Sequence, residues 1–198
     1  MVPMSSARFN ASDRKRLLQI ARGSITFGFE TRRPTLPKLT ILPDALRATG
    51  ASFVTLSNRG KLRGCTGSIL AKQPLGLDVA ENAFCTAFED PRFKPLETAE
   101  FPQLVIEISV LSTPIDITFV DEAELLDRLQ PFIDGLVIST TGHRATFLPK
   151  VWENLPEPQK FLAELKDKAG LPADYPSTDL TVSRYRTEIF SEPARAYQ

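Results

Sequence analysis

The residues of this chain best suited to chemistry cluster at Arg63-Gly64-Cys65-Thr66-Gly67-Ser68. Cys65 lies between two glycines, and glycines in a strand mark a bulge or a place where a ligand or another backbone comes close. A thiol there is approachable. Strand alternation puts Arg63 and Cys65 on one face, with Leu62, Gly64 and Thr66 on the other, so the guanidinium can favour a thiolate, the form of cysteine that acts as nucleophile. The opposing reading is a buried structural cysteine, because free cysteine also packs as a small hydrophobe.

Glu107 is the second candidate, a carboxylate inside the apolar run Leu104 to Leu111. Burying it without compensation is expensive, so it needs a partner or faces a cavity. With Cys65 in the same cavity, Glu107 becomes an acid/base partner and Arg63 an anion clamp. A structural ion pair with an arginine accounts for it equally well. Asp90 and Arg92 flank Pro91 in a loop and are candidates for lining a substrate site beside Gly64, Thr66 and Gly67; an Asp-Pro turn holding its own hydrogen bonds is the alternative. His143 sits at a hairpin tip and reads as a turn residue. Cys85 falls near the apolar stripe of a helix and reads as core.

The remaining chemistry is limited by composition. One histidine and two cysteines argue against a zinc site, and no metal ligands or cofactor are expected. No phosphate-binding loop or dinucleotide fingerprint is present. The 198 residues carry 24 basic and 24 acidic side chains, which removes the simplest argument for a nucleic-acid partner. Charge is uneven, however. Residues 1–50 hold nine basic and three acidic side chains, whereas 101–150 hold three and seven. No apolar run approaches the roughly 20 residues of a membrane span, and the N-terminus lacks the pattern of a signal peptide, so the sequence predicts a cytoplasmic protein without a membrane partner.

The elements that must position these residues follow from periodicity. Ser12 is the expected N-cap of a helix running to about Phe27, and the proline-rich stretch after Arg32 is an extended connector. Ser52 to Ser57, a turn at Asn58-Arg59-Gly60, and Lys61 to Leu70 predict a hairpin carrying the motif on its return strand. Helix is expected from Pro74 to about Phe88, strand over Leu104 to Leu111, a second strand after Pro114, and helix over Asp121 to Leu129. Gly135 to Ser139 and Arg144 to Leu148 form another hairpin around Thr141-Gly142, followed by two helical turns from Pro149. A helix over Pro158 to Ala169 and a strand over Thr181 to Ile189 complete the chain. Hairpins instead of strict strand-helix alternation predict an α+β fold with a largely antiparallel sheet. The hairpin-then-helix pattern at 52–88 and 135–155 raises the question of a duplicated unit.

Leu62-Arg63-Gly64-Cys65-Thr66-Gly67 resembles the Leu-Arg-Gly-Cys-Ile-Gly signature of the AMMECR domain family, whose microbial members are called AmmeMemoRadiSam system protein A. Asp90-Pro91-Arg92-Phe93-Lys94-Pro95-Leu96, Ile106-Glu107-Ile108-Ser109-Val110-Leu111, Ala145-Thr146-Phe147-Leu148-Pro149 with Val151-Trp152, and Leu165 to Pro172 resemble family blocks in the same order. The resemblance implies a single domain over 12–190, of two lobes with the signature by a cleft between them, a flexible segment 1–11 and a tail 191–198. It also implies a neighbourhood with a Memo-like protein and a radical SAM enzyme as partners. Two function classes remain open at this level. One is a cysteine-dependent modifying enzyme; the other is a non-catalytic binding or scaffold module for a small ligand, RNA or protein partner, linked to translation, transcription or repair.

Overall fold

The computed structural model describes residues 8–193. In chain order the main elements are α1 (Ala11–Thr31), α2 (Asp44–Arg47), β1 (Thr49–Gly50), β2 (Ser52–Asn58), β3 (Lys61–Gly67), β4 (Gln73–Pro74), α3 (Leu75–Phe88), β5 (Leu104–Leu111), β6 (Ile115–Asp116), α4 (Glu122–Arg128), β7 (Gly135–Thr140), β8 (His143–Phe147), α5 (Pro158–Lys168), β9 (Thr181–Tyr185) and β10 (Thr187–Ser191). The expected α+β class holds, with antiparallel strand pairing and helices packed on the sheets. The chain forms two compact units. One comprises the residues up to Leu111 and those from Glu188 onward, and the other is Ser112–Thr187.

The first unit is built on a four-stranded sheet in the order β10-β5-β2-β3, leaving β3 at an edge. Period-two alternation sends Val54, Leu56, Ile106 and Ile108 to one face, where they join Leu17, Ile25, Val79 and Ala83 of α1 and α3 in a dry core. Each of these side chains is fully buried, and burial of this kind stabilises by roughly 1.5–3 kcal/mol per large apolar group. Helix α1 starts two residues earlier than Ser12 would place it. Asn10 Oδ1 accepts the Asp13 amide at 2.9 Å while the Asp13 carboxylate accepts the Asn10 amide at 3.3 Å, a reciprocal cap that Ser12 has no partner to form. The helix also runs past Phe27 to Thr31, where Arg32 adopts the left-handed conformation and ends it.

Residues 1–7 and 194–198 of the expected flexible ends lie outside the described residues. The adjoining residues are tied down. Phe9 is buried, the Arg8 amide donates to Glu188, and Glu192 pairs with Arg22.

The second unit has its own sheet, β6-β9-β7-β8, and its own core around Trp152, which stacks on Phe161 with ring centroids 3.7 Å apart. The second hairpin forms as expected, with Gly142 at positive φ in its turn. It leads into a 3-10 turn, Pro149–Glu153, whereas the first hairpin leads through β4 into the 14-residue α3, so the two units of the suggested repeat differ in their helices. The last predicted strand is two strands. Between β9 and β10 the Arg186 amide donates to Ser112 Oγ at 3.0 Å and its carbonyl accepts the Ser112 amide at 2.8 Å, so the chain leaves one sheet there and enters the other.

Candidate functional site

Register across β5, β2 and β3 aligns the site. Thr55 is the Cα partner of Cys65 on one side and of Glu107 on the other. Residues paired across a sheet project to the same face, so Cys65, Thr55 and Glu107 form a row on the face opposite the helices. All three are half-buried. The Thr55 hydroxyl donates to Cys65 Sγ at 3.3 Å, whereas the Glu107 side chain makes no hydrogen bond or ion pair among the described residues. Two strand spacings put Glu107 about 10 Å from Cys65. The expected cysteine–carboxylate pair is therefore a row with threonine in between, not a direct contact.

The backbone of Cys65 is held by a side-chain clamp. As β3 is an edge strand, the Cys65 amide and carbonyl point away from β2. Asp90 Oδ2 accepts the amide at 2.9 Å, and Arg92 Nη2 donates to the carbonyl at 2.8 Å. Arg92 and Asp90 also bind each other, at 3.0 Å through Nε and 2.7 Å through Nη2. Hydrogen bonds from Arg92 hold the Asp90 carboxyl well below the usual range, opposed by burial and aided by the Cys65 and Arg92 amides. The same bond raises the Arg92 pKa, with a smaller contribution from charge on Cys65. Asp90 and Arg92, expected to line a substrate site, bind the Cys65 backbone and each other.

Arg63 is placed differently from its expected role. The β2–β3 register slips between Leu56 and Ser57, which face Gly64 and Leu62, so Arg63 is the extra residue of a bulge. Its guanidinium binds Glu100 at 2.7 and 3.0 Å and the Lys94 carbonyl at 3.0 Å. This pairing raises the Arg63 pKa and lowers that of Glu100. The cation bonded at Cys65 is thus Arg92, and Arg63 is already neutralised.

Gly64, Thr66 and Gly67, candidates for a substrate site, lie in close contact with neighbouring residues. A Cβ on Gly64 would lie 2.6 Å from the Thr86 carbonyl, so glycine lets β3 press directly on α3. A Cβ on Gly67 would lie 2.4 Å from the Phe53 ring. Thr66 turns toward α3, where its hydroxyl lies 2.5 Å from that of Thr86 and donates to the Asn82 carbonyl at 3.1 Å. Next to it is a polar cluster that the sequence did not single out. Asp78, almost fully buried, accepts hydrogen bonds from Ser52 Oγ at 2.6 Å, Asn82 Nδ2 at 2.9 Å and the Ser68 hydroxyl. Burial raises its pKa against these donors.

Cys85, expected in the core, is half-buried instead, and its Sγ donates to Glu89 Oε2 at 3.3 Å, whereas His143 sits at the hairpin turn as expected. Burial, then the neighbouring Glu89, pushes the Cys85 thiol up to about 11. His143 is exposed but not isolated, since its Nδ1 lies 2.8 Å from the Ala169 carbonyl at the end of α5. Among the described residues, no three His, Cys, Asp or Glu side chains converge as metal ligands, and no helix is long and apolar enough to cross a membrane.

Comparison with known proteins finds relatives over most of the chain. A protein of Saccharolobus solfataricus is 34% identical over 183 residues, covering 89% of this chain and 80% of the relative. A protein of Methanothermobacter thermautotrophicus is 33% identical over 157 residues, covering 76% and 80%. The crystal structure of an uncharacterized protein from Pyrococcus horikoshii superposes with a TM-score of 0.83 at 30% identity, covering 94% of this chain and 95% of that one. The AMMECR1 family model matches residues 18–190, and with the signature strand, the Asp90–Arg92 clamp and the Glu107 strand all inside that span, the chain belongs to the AMMECR1 family.

Proposed function

We propose that this protein is a cysteine-dependent modifying enzyme in which Cys65 is the nucleophile. The observation that carries the reading is the row Cys65, Thr55, Glu107 on one sheet face, with Cys65 fixed through its backbone by Asp90 and Arg92. A nucleophile gains from being held in one geometry before the substrate arrives. Thr55 orients the sulfur, and Arg92, itself paired with Asp90, holds the Cys65 carbonyl in place. Sγ bonds to an electrophilic carbon of a small substrate lying across the strands. The Cys65 thiol loses its proton to solvent as this bond forms; the departing group leaves with the bonding electron pair and is protonated in turn, with Glu107 spaced to relay that proton at the far end of the substrate and not at the thiol. Water or a second substrate then releases Cys65.

The family resemblance extends the proposal to a pathway in the cytoplasm shared with a Memo-like protein and a radical SAM enzyme. A non-catalytic binding or scaffold module is the competing class. Its expected pocket would be formed by the amides of Gly64 and Gly67.

Iodoacetamide labelling at pH 7.5, resolved by peptide mass spectrometry, separates the two. The enzyme reading expects fast alkylation of Cys65 and slow alkylation of Cys85, whose thiol is pushed up to about 11. Cys65→Ser should remove the fast phase and abolish cellular function. An inert Cys65, together with full function of Cys65→Ser, overturns the reading. Co-purification of the intact protein with the two partners tests the pathway.

A further inference from the structure

The hydrogen bond between Thr55 and Cys65 fixes what the far half of the row offers to a ligand. Thr55 has one hydroxyl hydrogen, and it is given to Cys65 Sγ at 3.3 Å. A thiolate has no hydrogen to return, so the Thr55 oxygen presents only lone pairs to its other side. Directly across the strands stands Glu107, which when ionised is acceptor-only as well. Residues opposite each other in an antiparallel pair carry Cβ atoms about 4.5–5.5 Å apart, so two acceptors face one narrow gap.

No described residue supplies the missing donor. The Glu107 carboxylate makes no ion pair or hydrogen bond among the described residues. Its neighbours and those of Thr55 on the same face are Val105 and Ser109 on β5 and Phe53 and Ser57 on β2, all uncharged. Thr55 and Glu107 are half-buried, so each keeps surface that a ligand can reach while the carboxylate gives up part of its hydration. A partly desolvated carboxylate beside a lone-pair oxygen is complemented by a cation that brings several hydrogens, and it repels an anion. An ammonium meets both needs, being compact and carrying three donors that can serve two acceptors at once.

Resting on the proposed role of Cys65, we infer that the substrate is a small primary amine whose ammonium group sits between Thr55 and Glu107 while its electrophilic carbon lies over Cys65. Strand spacing sets its length. Thr55 is about 5 Å from Cys65 and Glu107 about 10 Å, so the gap between them is about 7 Å from the sulfur column, the reach of five or so bonds in an extended chain. An ammonium held there leaves Glu107 its relay, since the cation itself carries protons to pass on.

Ligand-observed NMR titration of the full chain at pH 7.5 and low ionic strength tests the assignment with three amides of equal chain length: cationic 5-aminopentanamide, neutral pentanamide and anionic 4-carbamoylbutanoate. The amine should bind about tenfold more tightly than pentanamide, and the anion should bind weakest. Glu107→Gln, which keeps the shape and breaks no contact, should bring the amine down to the level of pentanamide, and Thr55→Val should cut its advantage about threefold. Added salt should erode the same advantage. Equal binding of amine and pentanamide, a preference that survives Glu107→Gln, or no binding of the amine up to about 50 mM would each overturn the inference. Iodoacetamide labelling separates the two failures. Fast alkylation of Cys65 without a preference for the amine sinks the amine site alone, and a preference for the amine beside an inert Cys65 sinks the nucleophile alone.

Discussion

Replacing Asp90 by asparagine is the most searching test of how Cys65 is held. The wild-type carboxylate is 2% exposed and accepts four hydrogen bonds, from the Cys65 amide, the Arg92 amide, and Arg92 Nε and Nη2. Asparagine keeps the shape but turns one oxygen into a donor, which then faces donors. Removing one partner of a fully buried ion pair costs about 3–5 kcal/mol. Arg92, however, is 55% exposed and can be resolvated, which reduces the expected loss to about 2 kcal/mol. The effect should be local first. Hydrogen exchange of the Cys65 amide should speed up about thirtyfold, and the urea midpoint should fall.

The sign with pH follows from the depressed carboxyl. Folding favours the ionised form of Asp90, so its contribution is complete above the unfolded aspartate value of about 3.9 and declines as pH falls toward the folded value. The gap between wild type and Asp90→Asn should therefore be constant from pH 7 to pH 5 and narrow below about pH 4. Equal amide exchange in the two proteins, or a gap that widens in acid, would refute the clamp.

Two further outcomes follow from the packing of the same strand. Gly64→Ala places a methyl 2.6 Å from the Thr86 carbonyl, a backbone atom that cannot swing aside, and should lower stability by about 1–3 kcal/mol in urea unfolding while leaving the second unit's tryptophan fluorescence position unchanged when folded. Asp78 has the opposite pH sense to Asp90. Its folded pKa is raised by burial, so the stability it contributes is full below the unfolded value and is lost as pH rises through the folded one. Asp78→Asn should be less stable than wild type near pH 4, with the deficit shrinking toward pH 7 in paired urea midpoints.

Much of the scaffold was legible because its signals are local. Asn58-Arg59-Gly60 marks the turn, the alternation of Leu104 to Leu111 marks β5, and the spacing of Leu77, Ala80, Phe84, Ala87 and Phe88 marks α3. The cap of α1 was also readable. Asn10 and Asp13 stand at the three-residue spacing of a reciprocal cap, a stronger signal than the favourable residue type of Ser12 alone. The break between β9 and β10 was not readable, since Arg186 is an ordinary strand residue and the split depends on Ser112, distant in sequence.

The site divides in the same way. Gly64 foreshadowed the bulge beside it, and the Asp-Pro-Arg turn with its own hydrogen bonds was one of the two accounts the loop allowed. That the turn reaches back to the Cys65 backbone, that Arg63 is taken by Glu100, and that Thr55 stands between Cys65 and Glu107 all depend on register and loop path. These are tertiary quantities, with no trace in the local pattern.

The clamp has a consequence for assembly. An exposed edge strand is a template on which another chain can add a strand, in recognition or in aggregation. On β3 the outward amide and carbonyl of Cys65 are occupied by a carboxylate and a guanidinium that mimic the hydrogen bonds of a neighbouring strand. An incoming peptide would have to displace an ion pair whose carboxylate is buried in order to dock there. The strand that carries Cys65 is thereby closed to strand addition at that residue, and any molecule that contacts the Cys65 side chain must approach it from the sheet face.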